Sequence, residues 1–486
     1  MLRVAYIFKS HQKKIIMSSC LLEASSIRKN KISLTDYNYQ KDIQNRLLLA
    51  KLSLDDLRVL EEILYSSLHI PLSDLANDLS LDVPSLSLIL ERLAPTGLFS
   101  LEKNTLHVDK EMRKYFEFQL EKLEEDFHPD MEFLQNILKK IPIHILPIWY
   151  SIPRTSNNIF ASLIEKHLLT PQIFQRYIAE INFGEPVLKQ IIDDVYHAKN
   201  LEVSAQDLMD KYSITRELFE EYMLHLEFSF ICCLNYRKKG NALEETVTPF
   251  HEWREYILFL QNSEAKTIQE EERIIPTRPN DFSFVEDLAI LLKETQKRPL
   301  TPDTLPSTLP LFTNLSNDPS IYKPYIQHLL AKATLVRFID LSSGKIEITS
   351  FAKEWLNLPL DRQSLYFYRH PLNKIITKKF SNEVYTEKSI REAEKSITRV
   401  LNKGWIFFED YLKGCHSALK EESIVSLKRV GKNWKYALPV YTAEEQEFLY
   451  ATIFEWLSEA AIVQTGSFDG KACFRVTSLG VTLFGR

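Results

Sequence analysis

Glycine is scarce in this chain, with 11 in 486 residues. A dinucleotide fold or a glycine-punctuated all-β architecture needs many turns at positive φ, so both are excluded and helix is expected to dominate. A phosphate-binding loop of the form Gly-x-x-x-x-Gly-Lys-Ser/Thr is missing; the Gly-Lys pairs at 344, 431 and 470 lack the upstream glycine and the following hydroxyl and read as hairpin turns. Long apolar runs are missing too. The best candidate, 141–152, is interrupted by Pro142, His144 and Pro147 and falls short of the roughly 18 residues that a membrane span needs. Cysteine is sparse and odd in number, at 20, 232, 233, 415 and 473, with no Cys-x-x-Cys, which fits a reducing, cytoplasmic setting. Lys9, His11, Lys13 and Lys14 follow too soon after the first apolar residues for a secretion signal, and Met17 is a second candidate start.

Chemistry-bearing patterns are equally thin. His251-Glu252 is half of a His-Glu-x-x-His zinc helix, but position 255 is Glu and no second histidine follows, so a structural role is expected. No Gly-x-Ser-x-Gly elbow is present, the histidines never fall at ligand spacing with cysteine or carboxylate, and adjacent Cys232-Cys233 reads as two small hydrophobes. The expectation is a non-enzymatic protein without metal or cofactor.

What the chain does contain is a recurring phrase: a capped acidic helix, a second apolar helix, then strand, turn and strand. It runs from Pro71-Leu72-Ser73-Asp74-Leu75 to Thr105-Leu106-His107-Val108, and again from Ser204-Ala205-Gln206-Asp207-Leu208 to Thr246-Val247. A third copy ends in a hairpin around Ser342-Ser343-Gly344. A helix-turn-helix followed by a β-hairpin is the winged-helix plan, which binds DNA or protein. The fold class expected is therefore mainly α with small β-hairpins, as tandem winged-helix modules joined by helical connectors. The segments are a basic, partly disordered tail (1–50), module one with a helical extension (51–135), a helical connector (136–200), module two (201–265), a linker (266–280), module three (281–370), a basic helical segment (371–420) and a C-terminal winged-helix-like module (421–486) opening on a hairpin around Gly431-Lys432-Asn433.

Charge is distributed unevenly: net +6 over 1–50, −10 over 51–135 and +7 over 366–440. A helix that enters the major groove needs basic or amide side chains near its N-terminus. The second helix of each helix-turn-helix carries net charge 0 over 83–94, −3 over 215–227 and +2 over 319–332, so the first two are poor DNA readers. Nucleic acid, if bound, is expected at Arg237, Lys238 and Lys239 on a wing, at Lys374, Lys378 and Lys379 beside Arg369, and at Lys428, Arg429, Lys432 and Lys435, where Trp434 and Tyr436 are placed to stack on bases. The plainer reading of each cluster is a solvated basic surface.

Two further motifs carry a family resemblance. Phe351-Ala352-Lys353-Glu354-Trp355-Leu356-Asn357-Leu358-Pro359 follows the third hairpin, and Phe474-Arg475-Val476-Thr477-Ser478-Leu479-Gly480 lies near the end. Each has a wing strand, a Thr, then a helix with a small residue, and from about Leu52 to Arg486 the order of parts resembles the winged-helix accessory region of bacterial XPB-type helicases. That resemblance implies a stand-alone nucleic-acid-associated or partner-binding piece without ATPase activity. The functional expectation is a regulator or scaffold in transcription or repair that contacts DNA through its C-terminal third, the alternative being a pure protein-interaction scaffold. No membrane contact is expected.

Overall fold

The computed structural model describes residues 28–29, 31–124, 127–154, 158–239, 242–298, 300–301, 319–369, 374–420, 423–431 and 433–485, with only the backbone described for 28–29, 238–239, 242–243 and 319–322. The chain is mainly helical with small sheets of two to four strands, antiparallel except for the parallel pair Arg28–Lys29/Ile181–Asn182, and it divides into two compact units, residues 1–258 with 426–436, and residues 259–425 with 437–486. Among the described residues, no helix is long and apolar enough to cross a membrane.

One element order recurs. Repeat one has a first helix Leu54–Tyr65, a short strand His69–Pro71, a second helix Leu72–Leu79, a third helix Val83–Leu93 and a hairpin Phe99–Glu102/Thr105–Val108. Its short strand pairs with the second hairpin strand, placing His69 opposite His107 and Ile70 opposite Leu106. Repeat two follows the same order with helices Pro186–His197, Ala205–Tyr212 and Arg216–Phe228, and Val203–Ser204 pairs with the second strand of hairpin Cys233–Lys239/Ala242–Thr248. In the third copy, helices Ser283–Lys297 and Pro319–Leu335 flank residues outside the description, and Leu300 bridges to Ile346 beside the strand Glu347–Ile348. A fourth copy runs from Glu387–Lys395 through the strand Ile406–Phe407 and the helix Phe408–Lys413. Its third helix, Ala443–Ala451, continues as a π-helical turn, Thr452–Leu457, and its hairpin is Val463–Phe468/Lys471–Val476.

Local chemistry explains the repetition. Ser53, Asp82, Thr215 and Thr442 cap helix starts by accepting a backbone N–H through the side chain, which satisfies otherwise orphaned donors. The turn after each third helix holds one residue at positive φ, namely Gly97, Phe230, Arg337 and Ala461. Only one of the four is glycine, so the apolar residue that follows each, Leu98, Ile231, Phe338 or Ile462, anchors the turn by being fully buried. Thr349 and Thr477 cap the helix after the hairpin and donate their hydroxyls to the carbonyls of Arg337 and Ala461, both at 2.7 Å. The small residue three positions on is Ala352 or Gly480; a Cβ on Gly480 would sit 2.3 Å from the Ile462 carbonyl oxygen. The small residue at Gly480 is thus a packing requirement.

Two segments differ from the sequence-based division. Within the basic tail, Tyr39–Leu49 is a helix with Asp42, Ile43, Asn45 and Arg46 buried. The hairpin Ser426–Val430/Asn433–Ala437 does not pair with the fourth repeat's sheet, whose strand order is Ile406–Phe407, Lys471–Val476, Val463–Phe468, Ile275–Pro276. Residues 426–436 belong to the first unit, where the Leu427 N–H donates to the Leu169 carbonyl and the Tyr436 hydroxyl to that of Leu168, both at 2.8 Å. The fourth repeat therefore begins near Glu387, and the hairpin is an excursion between its second and third helices.

Candidate functional site

The third helices are the elements that decide what these repeats can touch. In repeat two, Arg216–Phe228 is covered by Tyr39–Leu49, and the contact is ionic. Arg46 reaches Glu227 through two hydrogen bonds, at 3.2 and 2.6 Å, and lies 3.6 Å from Glu220 and 3.7 Å from Asp42. Lys140 binds Asp42 at 3.0 Å, Tyr115 donates to it at 2.7 Å, and Lys122 stands 3.9 Å from Glu227. Arg216 closes the other side on Glu220 at 2.6 Å and on Glu245. Burial pushes the Glu227 carboxyl up, but the Arg46 and Lys122 charges outweigh it and bring it to about 2. Burial acts likewise on Asp42, and Lys140 and Arg46 hold it well below the usual carboxylate range. The acidic face read from 215–227 is therefore an interior surface at Glu220 and Glu227.

In the second unit, the third helices of repeats three and four face each other. Lys332, fully buried, lies 2.8 Å from Glu455 and 3.0 Å from Glu459, and His328 bonds to Glu459. Thr377 donates to Glu455, as does the Ile376 N–H at 2.8 Å. His328, Glu455 and Glu459 have the spacing of a metal triad. The Lys332 ammonium already neutralises that site, so the triad reads as structural. Burial raises the Glu455 carboxyl, and Lys332 overrides it and lowers it.

Among the described residues, the third helix of repeat one makes no ion pair outside its own repeat. Val83 and Leu88 on Val83–Leu93 are 44% and 60% exposed, while Leu86, Ile89, Leu90 and Leu93 face the core. Arg92 is turned onto Asp56 at 2.5 Å, which leaves Glu91 as the helix's one acidic side chain on the surface.

The basic residues singled out from sequence fall into several groups. Lys374 is engaged with Glu394 at 2.5 Å and lies over the rings of Trp456 and Tyr368, and Lys378 pairs with Glu447. Lys379 is exposed. Arg237 pairs with Glu202. Lys238 and Lys239 lie in the strand Cys233–Lys239, with side chains outside the described residues, as is Lys432 entirely. Lys428, Arg429 and Lys435 are exposed and make no ion pair among the described residues. Their neighbouring rings do not stack outward: Trp434 meets Phe160 at 6.4 Å between centroids, and Tyr436 packs on Trp253 and Tyr256.

A pocket of about 400 Å³ lies in the first unit between the base of the second repeat's hairpin (Asn235, Tyr236, Arg237), His251 and Arg254, and the connector at His128. His128 and His251 stack face to face at 4.8 Å. Next to them, Glu252 accepts the Met131 N–H at 2.9 Å with one carboxylate oxygen, and the other has no hydrogen-bond partner among the described residues. Burial pushes this carboxyl up to about 8. His251 and Glu252 thus belong to different environments and do not converge on a common ligand point.

No protein-family model matches the chain, and no curated protein matches it.

Proposed function

We propose that the four repeats are winged-helix modules and that the chain is a non-enzymatic protein-interaction scaffold of the reducing cytoplasm, with Val83–Leu93 as its docking helix. One observation carries this reading. The third helices of repeats two, three and four, which such modules use to enter the major groove, are tied by ion pairs to other helices of the chain, whereas that of repeat one presents Val83 and Leu88 at its surface. An apolar helix face suits another protein's helix or groove better than base edges. The four described cysteines are buried and free, in keeping with the compartment.

Affinity capture with the tagged full chain from its own cells tests the reading. Captured protein is expected to survive nuclease treatment and to fall at least tenfold with Leu88→Asp. Capture that nuclease abolishes, or that Leu88→Asp leaves unchanged, overturns it.

A second reading, nucleic-acid association as a regulator in transcription or repair, draws on the exposed Lys428, Arg429 and Lys435. The resemblance to helicase accessory regions implies either this role or a partner-binding one. In a salt-titrated gel shift, reversing these three residues to Glu is expected under that reading to weaken all sequences alike and flatten the salt slope. Equal retention of the variant removes the hairpin from consideration.

A further inference from the structure

From the first repeat's sheet we infer a surface site for a first-row transition-metal ion, Zn²⁺ or a similar divalent ion, held by His69 and His107. The two residues are directly opposite in the antiparallel pair formed by His69–Pro71 and Thr105–Val108. Their rings meet edge to face with centroids 4.8 Å apart, and the two Nδ1 atoms are 2.7 Å from each other. One Nδ1 must carry the proton and the other must accept it, so the two ring nitrogens face each other across one gap.

Two nitrogens bound tetrahedrally to one ion at about 2.0–2.1 Å stand about 3.3 Å apart. The pair is therefore within a small side-chain rotation of chelating distance, and the strands fix the backbone beneath it. When the ion enters, the donating ring moves its proton from Nδ1 to Nε2. Both Nδ1 lone pairs then face the metal, and no net proton leaves. Imidazole suits zinc, copper and nickel, and water completes the shell.

The contrast with His328, Glu455 and Glu459 is in the charge already present. There Lys332 fills the cation's place. Around His69 and His107 no Lys or Arg forms a hydrogen bond or ion pair with either ring among the described residues. Ser100 stands opposite His107 on the third strand and Glu102 opposite Thr105, so the surrounding sheet face is polar and carries a carboxylate two register pairs away.

Isothermal titration of the full chain with ZnCl₂ at pH 7.5 tests the site. One saturable event is expected to weaken at least tenfold in His69→Ala and in His107→Ala, and to persist in His144→Ala, which removes another exposed histidine. Selective broadening of the His69 and His107 ring signals by Ni²⁺ gives a readout independent of heat, and far-UV circular dichroism checks that each variant is folded. Absence of saturable binding, or equal binding in all four proteins, overturns the assignment.

Discussion

Glu227 and Glu252 are buried carboxylates of the same unit, both almost inaccessible to water, yet one is held at about 2 and the other at about 8. Desolvation pushes both upward. The difference lies in the company. Glu227 has Arg46 against both oxygens and Lys122 nearby, whereas Glu252 has one backbone N–H, an orphaned second oxygen and the negative Asp130 in its field. Burial by itself says little about a carboxylate's charge. The cations brought in by distant segments decide it, and here they also make the helix Arg216–Phe228 interior structure at Glu220 and Glu227.

The largest expected effect comes from removing the cation. Arg46→Ala leaves Glu227, Glu220 and Asp42 buried with less than their full compensation, and breaking a buried pair on one side costs about 3–5 kcal/mol. Chemical denaturation at pH 7 should register that loss. A cost below about 1 kcal/mol would mean that Tyr39–Leu49 is not held by its charges. The acid limb sharpens the point. Because the folded value of Glu227 is depressed, its contribution is present above the ordinary carboxylate value of 4.5 and disappears as the pH falls toward 2. Arg46→Ala should therefore flatten stability over that window.

These same residues mark where sequence reasoning stops. The hairpins and apolar helix faces were legible, because Leu57, Leu60, Ile63 and Leu64, or Phe448, Leu449, Ile453 and Trp456, recur at helical spacing and all are buried. The helix Tyr39–Leu49 had no such signal: Ile43 is its one fully buried apolar residue, and Asp42, Asn45 and Arg46 make up the rest of its buried face. A polar stripe read along the chain looks like a solvated tail. It becomes a packing surface only when Glu220 and Glu227, some 180 positions away, supply the opposite charge. The fourth repeat was legible in its last helix and hairpin but not in its beginning, since the excursion 426–436 separates Phe408–Lys413 from Ala443–Ala451. Of the proposed nucleic-acid contacts, Lys428, Arg429 and Lys435 are exposed, as sequence composition suggests. Lys374 and Lys378 are taken up by Glu394 and Glu447, pairings that no local spacing announces.

The smaller effect comes from Glu252, and its sign is reversed. Its folded value is raised from 4.5 to about 8, so below about pH 4.5 the group is neutral in both folded and unfolded chains and contributes no pH dependence. Between 4.5 and 8 the unfolded chain releases the proton first, and the wild-type protein loses stability as the pH rises. Glu252→Gln keeps an oxygen for the Met131 N–H and has no charge to lose. The variant is expected to match the wild type near pH 4.5 and to exceed it at pH 7 by on the order of 2 kcal/mol. The difference between the two proteins, not either curve alone, reports on Glu252. A difference that stays constant with pH would place the proton elsewhere. One that grows from pH 5 to 8 would establish that this neck between the connector and the helix His251–Asn262 is built around a neutral carboxylic acid.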